Sequence, residues 1–153
     1  MKQAFSLLEM IFVVIIIAIL ISLSISNTFV SRGDAVFLQV KSDIMAVKNS
    51  LNLLKTKQSF SGKAFNLTFL DNTTNYNQEG SAIFYFEENN SSNILQSSII
   101  TKNKNGGWMK IGANSYTVKL QNKNIVFKYE NKFFSCLSHN ANEELELCKE
   151  VSQ

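Results

Sequence analysis

The sequence predicts an α+β fold: a long N-terminal helix packed on a small antiparallel β-sheet. Three observations predict it. Met10 to Ile21 is an unbroken apolar run. Phe37, Val40, Ile44, Val47, Leu51 and Leu54 then recur three and four residues apart, the period of one helix face. Farther on, apolar and polar residues alternate over Ser115–Gln121 and Asn124–Glu130, the period of half-buried strands. Helix first and strands afterwards is the order of an α+β domain, not of repeating βα units.

The chain has 153 residues, which suits one compact domain with an appendage. Its net charge of +3 is too small to argue for nucleic-acid binding by itself. The charge is unevenly placed. Lys102, Lys104, Lys110, Lys119, Lys123, Lys128 and Lys132 face Glu130 alone in their segment, whereas Glu143, Glu144, Glu146 and Glu150 gather in the tail beside Lys149.

The apolar run extends past Ser22 through Leu23 and Ile25, and with Leu7 and Leu8 it approaches the ~20 residues that span a bilayer. Glu9 stands at its mouth, and the run holds no Lys, Arg or His to pair with it. A carboxylate in a membrane helix is costly and defaults to a functional hypothesis with a partner to be named. A secretory signal peptide, cut near Ser22-Leu23-Ser24, does not account for Glu9 or for the helical pattern that continues beyond the cut. A plain anchor accounts for the run and not for the glutamate.

From Ser31 to about Lys57 the narrow apolar stripe predicts a helix, with Lys41, Asp43, Lys48, Asn49 and Asn52 off the stripe. The stripe is expected to pack on the protein's own sheet; a coiled-coil seam between copies is the alternative. One helix from residue 5 to residue 57 would be ~80 Å long. The segment SFSGKAF ends it. Ala82–Glu87 and Ile94–Thr101 are strand-like. A hairpin turning around Asn122-Lys123 pairs Leu120 with Ile125, Val118 with Phe127 and Tyr116 with Tyr129. All six then share one face, with Thr117, Lys119 and Lys128 on the other. Lys132 to Cys136 adds a further strand, and Gly106-Gly107 before Trp108 reads as a turn.

The two cysteines, Cys136 and Cys148, are too few and too far apart for a zinc knuckle or a redox motif. In an exported protein they form a disulfide closing a C-terminal loop; in a reducing compartment they are two separate thiols. Lys119, Lys123 and Lys128, with Trp108 nearby, are candidate DNA contacts, set against the reading of a solvated strand face. Asn89 and Asn90 are candidate glycosylation sites, each followed two residues later by Ser and preceded two residues earlier by an acid. Asn66 and Asn72 match only the shorter pattern. The single His139, with no phosphate-binding Gly loop and no metal-ligand cluster, leaves no catalytic residue, metal or cofactor to expect.

The stretch AFSLLEMIFVVIIIAIL, behind a short basic leader, resembles the N-terminal segment of type IV pilins and of the pseudopilins of type II secretion and DNA-uptake machines. The resemblance implies a leader over residues 1–4, with cleavage between Ala4 and Phe5 and N-methylation of Phe5. It implies a membrane and filament-core half-helix over 5–26, an amphipathic half over 27–57 and a periplasmic β-rich domain over 58–153. Glu9 would meet the Phe5 ammonium of a neighbouring copy during filament assembly. The implied partners are other pilin or pseudopilin copies, the prepilin peptidase, the inner-membrane platform protein and the membrane itself, with DNA as possible cargo. The implied location is the inner membrane, single pass.

Ala4 departs from the family's usual leader Gly. Ala18 and Ser26 stand where major pilins usually carry a helix-weakening Gly and Pro, which favours a more continuous helix and a pseudopilin or minor pilin. The small size and basic strip incline the reading to DNA uptake over protein secretion. The rival is a membrane-anchored periplasmic binding protein unrelated to pili.

Overall fold

A computed structural model describes residues 7–26, 32–86, 93–137 and 142–152. The chain divides into two compact units, Met1–Asp34 and Ala35–Gln153. The first contains helix α1, Leu7–Ser26. Helix α2, Arg32–Phe60, begins at its end and supplies the first element of the second unit. The expected continuity of one helix through residues 27–31 lies outside the described residues.

The second unit is α+β. Short strands β1, Ala82–Ile83, and β2, Ile99–Ile100, pair antiparallel. Strands β3, Trp108–Gly112, β4, Ser115–Leu120, β5, Lys123–Glu130, and β6, Phe133–Leu137, form an antiparallel meander in sequence order. Helix α3, Asn142–Ser152, closes the fold.

The α2 stripe packs on its own sheet. Val40, Ile44, Val47 and Leu51 are buried in one core with Trp108, Tyr116, Val118, Phe127 and Phe134, and Phe37 and Leu54 flank it. Asp34 in the first turn and Lys57 in the last suit the helix dipole. The helix stops where Gly62 adopts φ +66°, a left-handed C-terminal cap that a side chain at this position would oppose.

The hairpin differs from its expected register by two residues. Tyr116 faces Phe127, Val118 faces Ile125 and Leu120 faces Lys123. The turn is the two residues Gln121 and Asn122, both at positive φ. That geometry matches the twist of the flanking strands better than the wider turn expected around Asn122-Lys123. A two-residue slip preserves the faces, so all six expected inward residues are buried. Asn131 and Lys132, also at positive φ, make the same kind of turn into β6.

Of the strand-like run Ala82–Glu87, Ala82–Ile83 form β1 and the other described residues, 84–86, do not continue it. Phe84 takes φ +58° and breaks it, and its N–H donates to Asp71 Oδ2 at 3.2 Å instead of to a ladder. Phe84 is nonetheless wholly buried, packed edge-on to Trp108 and Phe134. Ile94–Thr101 likewise shortens to β2. The acidic tail is helical: Glu144, Leu147, Cys148 and Val151 form its inner stripe, and Leu147, Cys148 and Val151 join the core. The Cys136–Cys148 disulfide ties β6 to α3, with Cα atoms 5.9 Å apart.

Candidate functional site

In α1 the side chains from Leu7 to Ile21 are apolar all round except Glu9, and its large apolar residues are exposed, from 42% at Ile16 to 79% at Leu7. A helix apolar on every side belongs inside a membrane or an assembly. Among the described residues no helix is long and apolar enough to cross a membrane. Helix α1 comes nearest: its side chains are described from Leu7 to Ser22, and those of Leu23 to Ser26, which would lengthen the run, lie outside the described residues. Glu9 stands in the first turn, where the helix dipole favours a carboxylate. The described ion pairs are Lys110–Asp71 and Lys128–Glu130, and Glu9 belongs to neither. Ala4 and Phe5 lie outside the described residues, as do Asn89, Asn90 and His139. Asn66 and Asn72 are exposed.

The basic segment does not form one strip. Trp108 is 1% exposed, and its Nε1–H donates to Asp43 Oδ2 at 3.0 Å, so it binds α2 to the sheet and offers no face for a base. Burial pushes the Asp43 carboxyl above its ordinary range, and the Trp108 hydrogen bond offsets part of that rise. Lys119 and Lys128 lie on the outer sheet face, at positions opposite Asn124 and Ser115. Lys123 pairs with inward-facing Leu120 and so sits on the other side of the sheet. Lys128 Nζ lies 3.0 Å from Glu130 Oε2. Lys132 is exposed beside the Phe65 ring.

Lys110 is the sharpest departure. It points inward beside Trp108 and is 2% exposed, as is Asp71. Its Nζ donates to Asp71 Oδ1 at 2.5 Å and to the Thr73 carbonyl at 2.6 Å. Asp71 Oδ2 accepts from the Tyr116 hydroxyl at 2.7 Å, while Oδ1 also accepts from the Thr73 N–H. Burial first, then the charge and hydrogen bond of Asp71 and the nearby Tyr76, raise the Tyr116 hydroxyl pKa well above the ordinary tyrosine value. This cluster pins the 61–81 connection to the sheet. Tyr129 assists by donating to the Leu67 carbonyl at 2.9 Å, and Asn114 by donating to that of Thr68 at 2.9 Å. Sequence reading missed Asp71 because its partner is 39 residues away. The signal that could have found it is the two-residue spacing of Lys110 from Trp108, which places both on the inner face of β3.

Among the described residues no group of His, Cys, Asp or Glu is arranged to hold a metal ion. No family model, curated protein or solved structure matches the chain.

Proposed function

We propose that this chain is a structural subunit of the pseudopilin or minor-pilin kind, which assembles with other copies into a periplasmic fibre of a type II secretion or type IV pilus-like machine. The observation that carries the reading is α1: an all-round apolar helix with a single carboxylate in its first turn, in a chain whose second unit has a core already filled from within. In an assembled fibre the apolar surface of α1 supplies adhesion. Glu9 supplies registry, because a carboxylate in a dry core is strongly penalised unless it finds a cation. The Phe5 ammonium of a neighbouring copy, created by cleavage after Ala4 and kept charged after methylation, is that cation.

On this reading the chain is a single-pass inner-membrane protein processed by the prepilin peptidase, with its C-terminal domain in the periplasm. The platform protein of the machine builds the fibre. The disulfide suits an oxidising compartment. The fibre's cargo inclines to DNA, although Trp108 and Lys110 no longer belong to a binding strip. The reading makes the chain no enzyme.

Mass analysis of the mature N-terminus tests it. N-methyl-Phe5 is expected. An intact Met1, or a start after Ser24, would favour an anchored periplasmic binding protein.

A further inference from the structure

Lys110 and Asp71 bring an amine and a carboxyl carbon together inside the core. Each residue is 2% exposed. Lys110 stands on β3 and Asp71 on the connection between α2 and β1, 39 residues away in sequence. Lys110 Nζ lies 2.5 Å from Asp71 Oδ1, so Cγ is one bond beyond an atom already in contact. The rings of Tyr76 and Tyr116 stand 5.7 and 5.9 Å from Nζ and wall the pair in.

The two oxygens of Asp71 are held differently. Oδ2 accepts from two neutral donors, the Tyr116 hydroxyl at 2.7 Å and the Phe84 N–H at 3.2 Å. Phe84 presents that N–H from the turn at φ +58° that ends β1. Burial keeps the proton on the Tyr116 hydroxyl, which therefore remains a donor. Oδ1 instead faces the ammonium, with the Thr73 N–H at 3.2 Å. One oxygen thus sits where negative charge is stabilised, and the other beside a supply of protons.

We propose that Lys110 and Asp71 condense into an intramolecular amide between Nζ and Cγ. One Nζ proton first passes to Oδ1, which removes both charges from a dry site. The freed amine attacks Cγ. The N–C bond forms as the Cγ–Oδ2 double bond opens, and the charge that collects on Oδ2 is held by the Tyr116 hydroxyl and the Phe84 N–H. A second Nζ proton passes to Oδ1, the Cγ–Oδ1 bond breaks, and Oδ1 leaves as water while Cγ=Oδ2 re-forms. Of the three ammonium protons, two leave in the water and one stays on the amide nitrogen. The Thr73 carbonyl, 2.6 Å from Nζ, accepts from that N–H. Nothing is oxidised or reduced, and no co-reactant is consumed. Fixed juxtaposition takes the place of the activation that a free acid and amine would need. Thr73 also lines a polar hollow of about 480 Å³ with Asn72, Asn75 and Ser81, an exit for the water. The bond ties the α2–β1 connection to the sheet, as the disulfide ties α3 to it. It stands independently of the fibre reading.

The test is intact mass and a tryptic map of the purified full chain. The mass should be lower by one water than the disulfide-bonded sequence requires. Trypsin does not cut after an acylated lysine, so residues 64–102 should emerge joined to residues 105–119. This map does not depend on where the mature chain starts. Lys110→Arg, which keeps a cation opposite Asp71, should restore the full mass. Tyr116→Phe should slow the appearance of the joined peptides about 100-fold in pulse-labelled cells, as loss of one oxyanion donor does. A full mass with free peptide 105–110 in the unaltered protein overturns the proposal. So does a water loss without the joined peptides, as a cyclised aspartate would give, or one that persists in Lys110→Arg. An unchanged rate in Tyr116→Phe overturns the part given to its hydroxyl.

Discussion

Helix α1 and the unit from Ala35 to Gln153 are both rich in apolar residues, but only the second supplies its own cover. In that unit the α2 stripe, the inner sheet face and α3 bury one another, and the charges drawn inside are paired: Lys110 with Asp71, Asp43 with the indole of Trp108. In α1 the apolar side chains from Leu7 to Ile21 remain exposed, and Glu9 has no place in the described ion pairs. The difference separates two kinds of constraint. The second unit is constrained by what its own chain must satisfy, and α1, on the proposed fibre reading, by what a neighbour must supply.

Four substitutions or treatments probe the claim that the second unit is satisfied from within. The largest effect is expected from Asp71→Ala, which leaves the Lys110 ammonium buried with one carbonyl acceptor. Loss of one partner of such a pair costs about 3–5 kcal/mol in denaturant unfolding. Adding Lys110→Met should recover part of that loss; no recovery would mean that Asp71 acts mainly through Tyr116 and the Phe84 N–H.

Reduction of Cys136–Cys148 should follow, at about 3 kcal/mol for a loop of this size in the chain-entropy account. It should free α3 before the sheet, which amide exchange would detect.

Trp108→Phe removes the donor that satisfies Asp43 and should cost about 1–3 kcal/mol. It also sharpens a pH effect. The folded state holds the Asp43 proton more tightly than the unfolded chain does, so this group's contribution to stability is greatest below its ordinary value of 3.8 and falls as pH rises through it toward the raised folded value. The indole N–H favours the ionised form, so its removal should steepen that fall in melting temperature measured against pH.

The smallest effect belongs to Lys128→Ala. Its pair with Glu130 has side chains 38% and 57% exposed, so the loss should be about 0–1 kcal/mol and should shrink with added salt. A large loss would mean that the outer sheet face is less solvated than these exposures imply.

Much of this architecture was legible in the residues, and the exceptions have physical causes. The three-and-four spacing from Phe37 to Leu54 is a local signal and located the α2 core face. Strict alternation located the faces of β4 and β5, but their register depended on which two residues took positive φ, and Gln121-Asn122 carries no glycine to mark it. The aromatic run Ile83–Phe86 has strand composition; its fate was decided by Asp71, a distant carboxylate that captures the Phe84 N–H. Helix α3 was signalled by Leu147, Cys148 and Val151 at helical spacing and was masked by the surrounding glutamates. Among the candidate site residues, the cysteine pairing was legible only on the condition of export, with two separate thiols as the alternative, and the structure joins them. Of the two readings of the Lys102–Lys132 segment, one strip or a solvated strand face, a single strip does not form because strand alternation sends lysines to opposite faces, burying Lys110 and leaving Lys119 half-buried on the outer one.

The most direct test of the central claim is Glu9→Ala in the full chain, with membrane fractionation and fibre imaging on the same cells. The account predicts unchanged insertion and unchanged folding of the Ala35–Gln153 unit, with recruitment into fibres abolished. Fibres of normal number and length from that variant would contradict it.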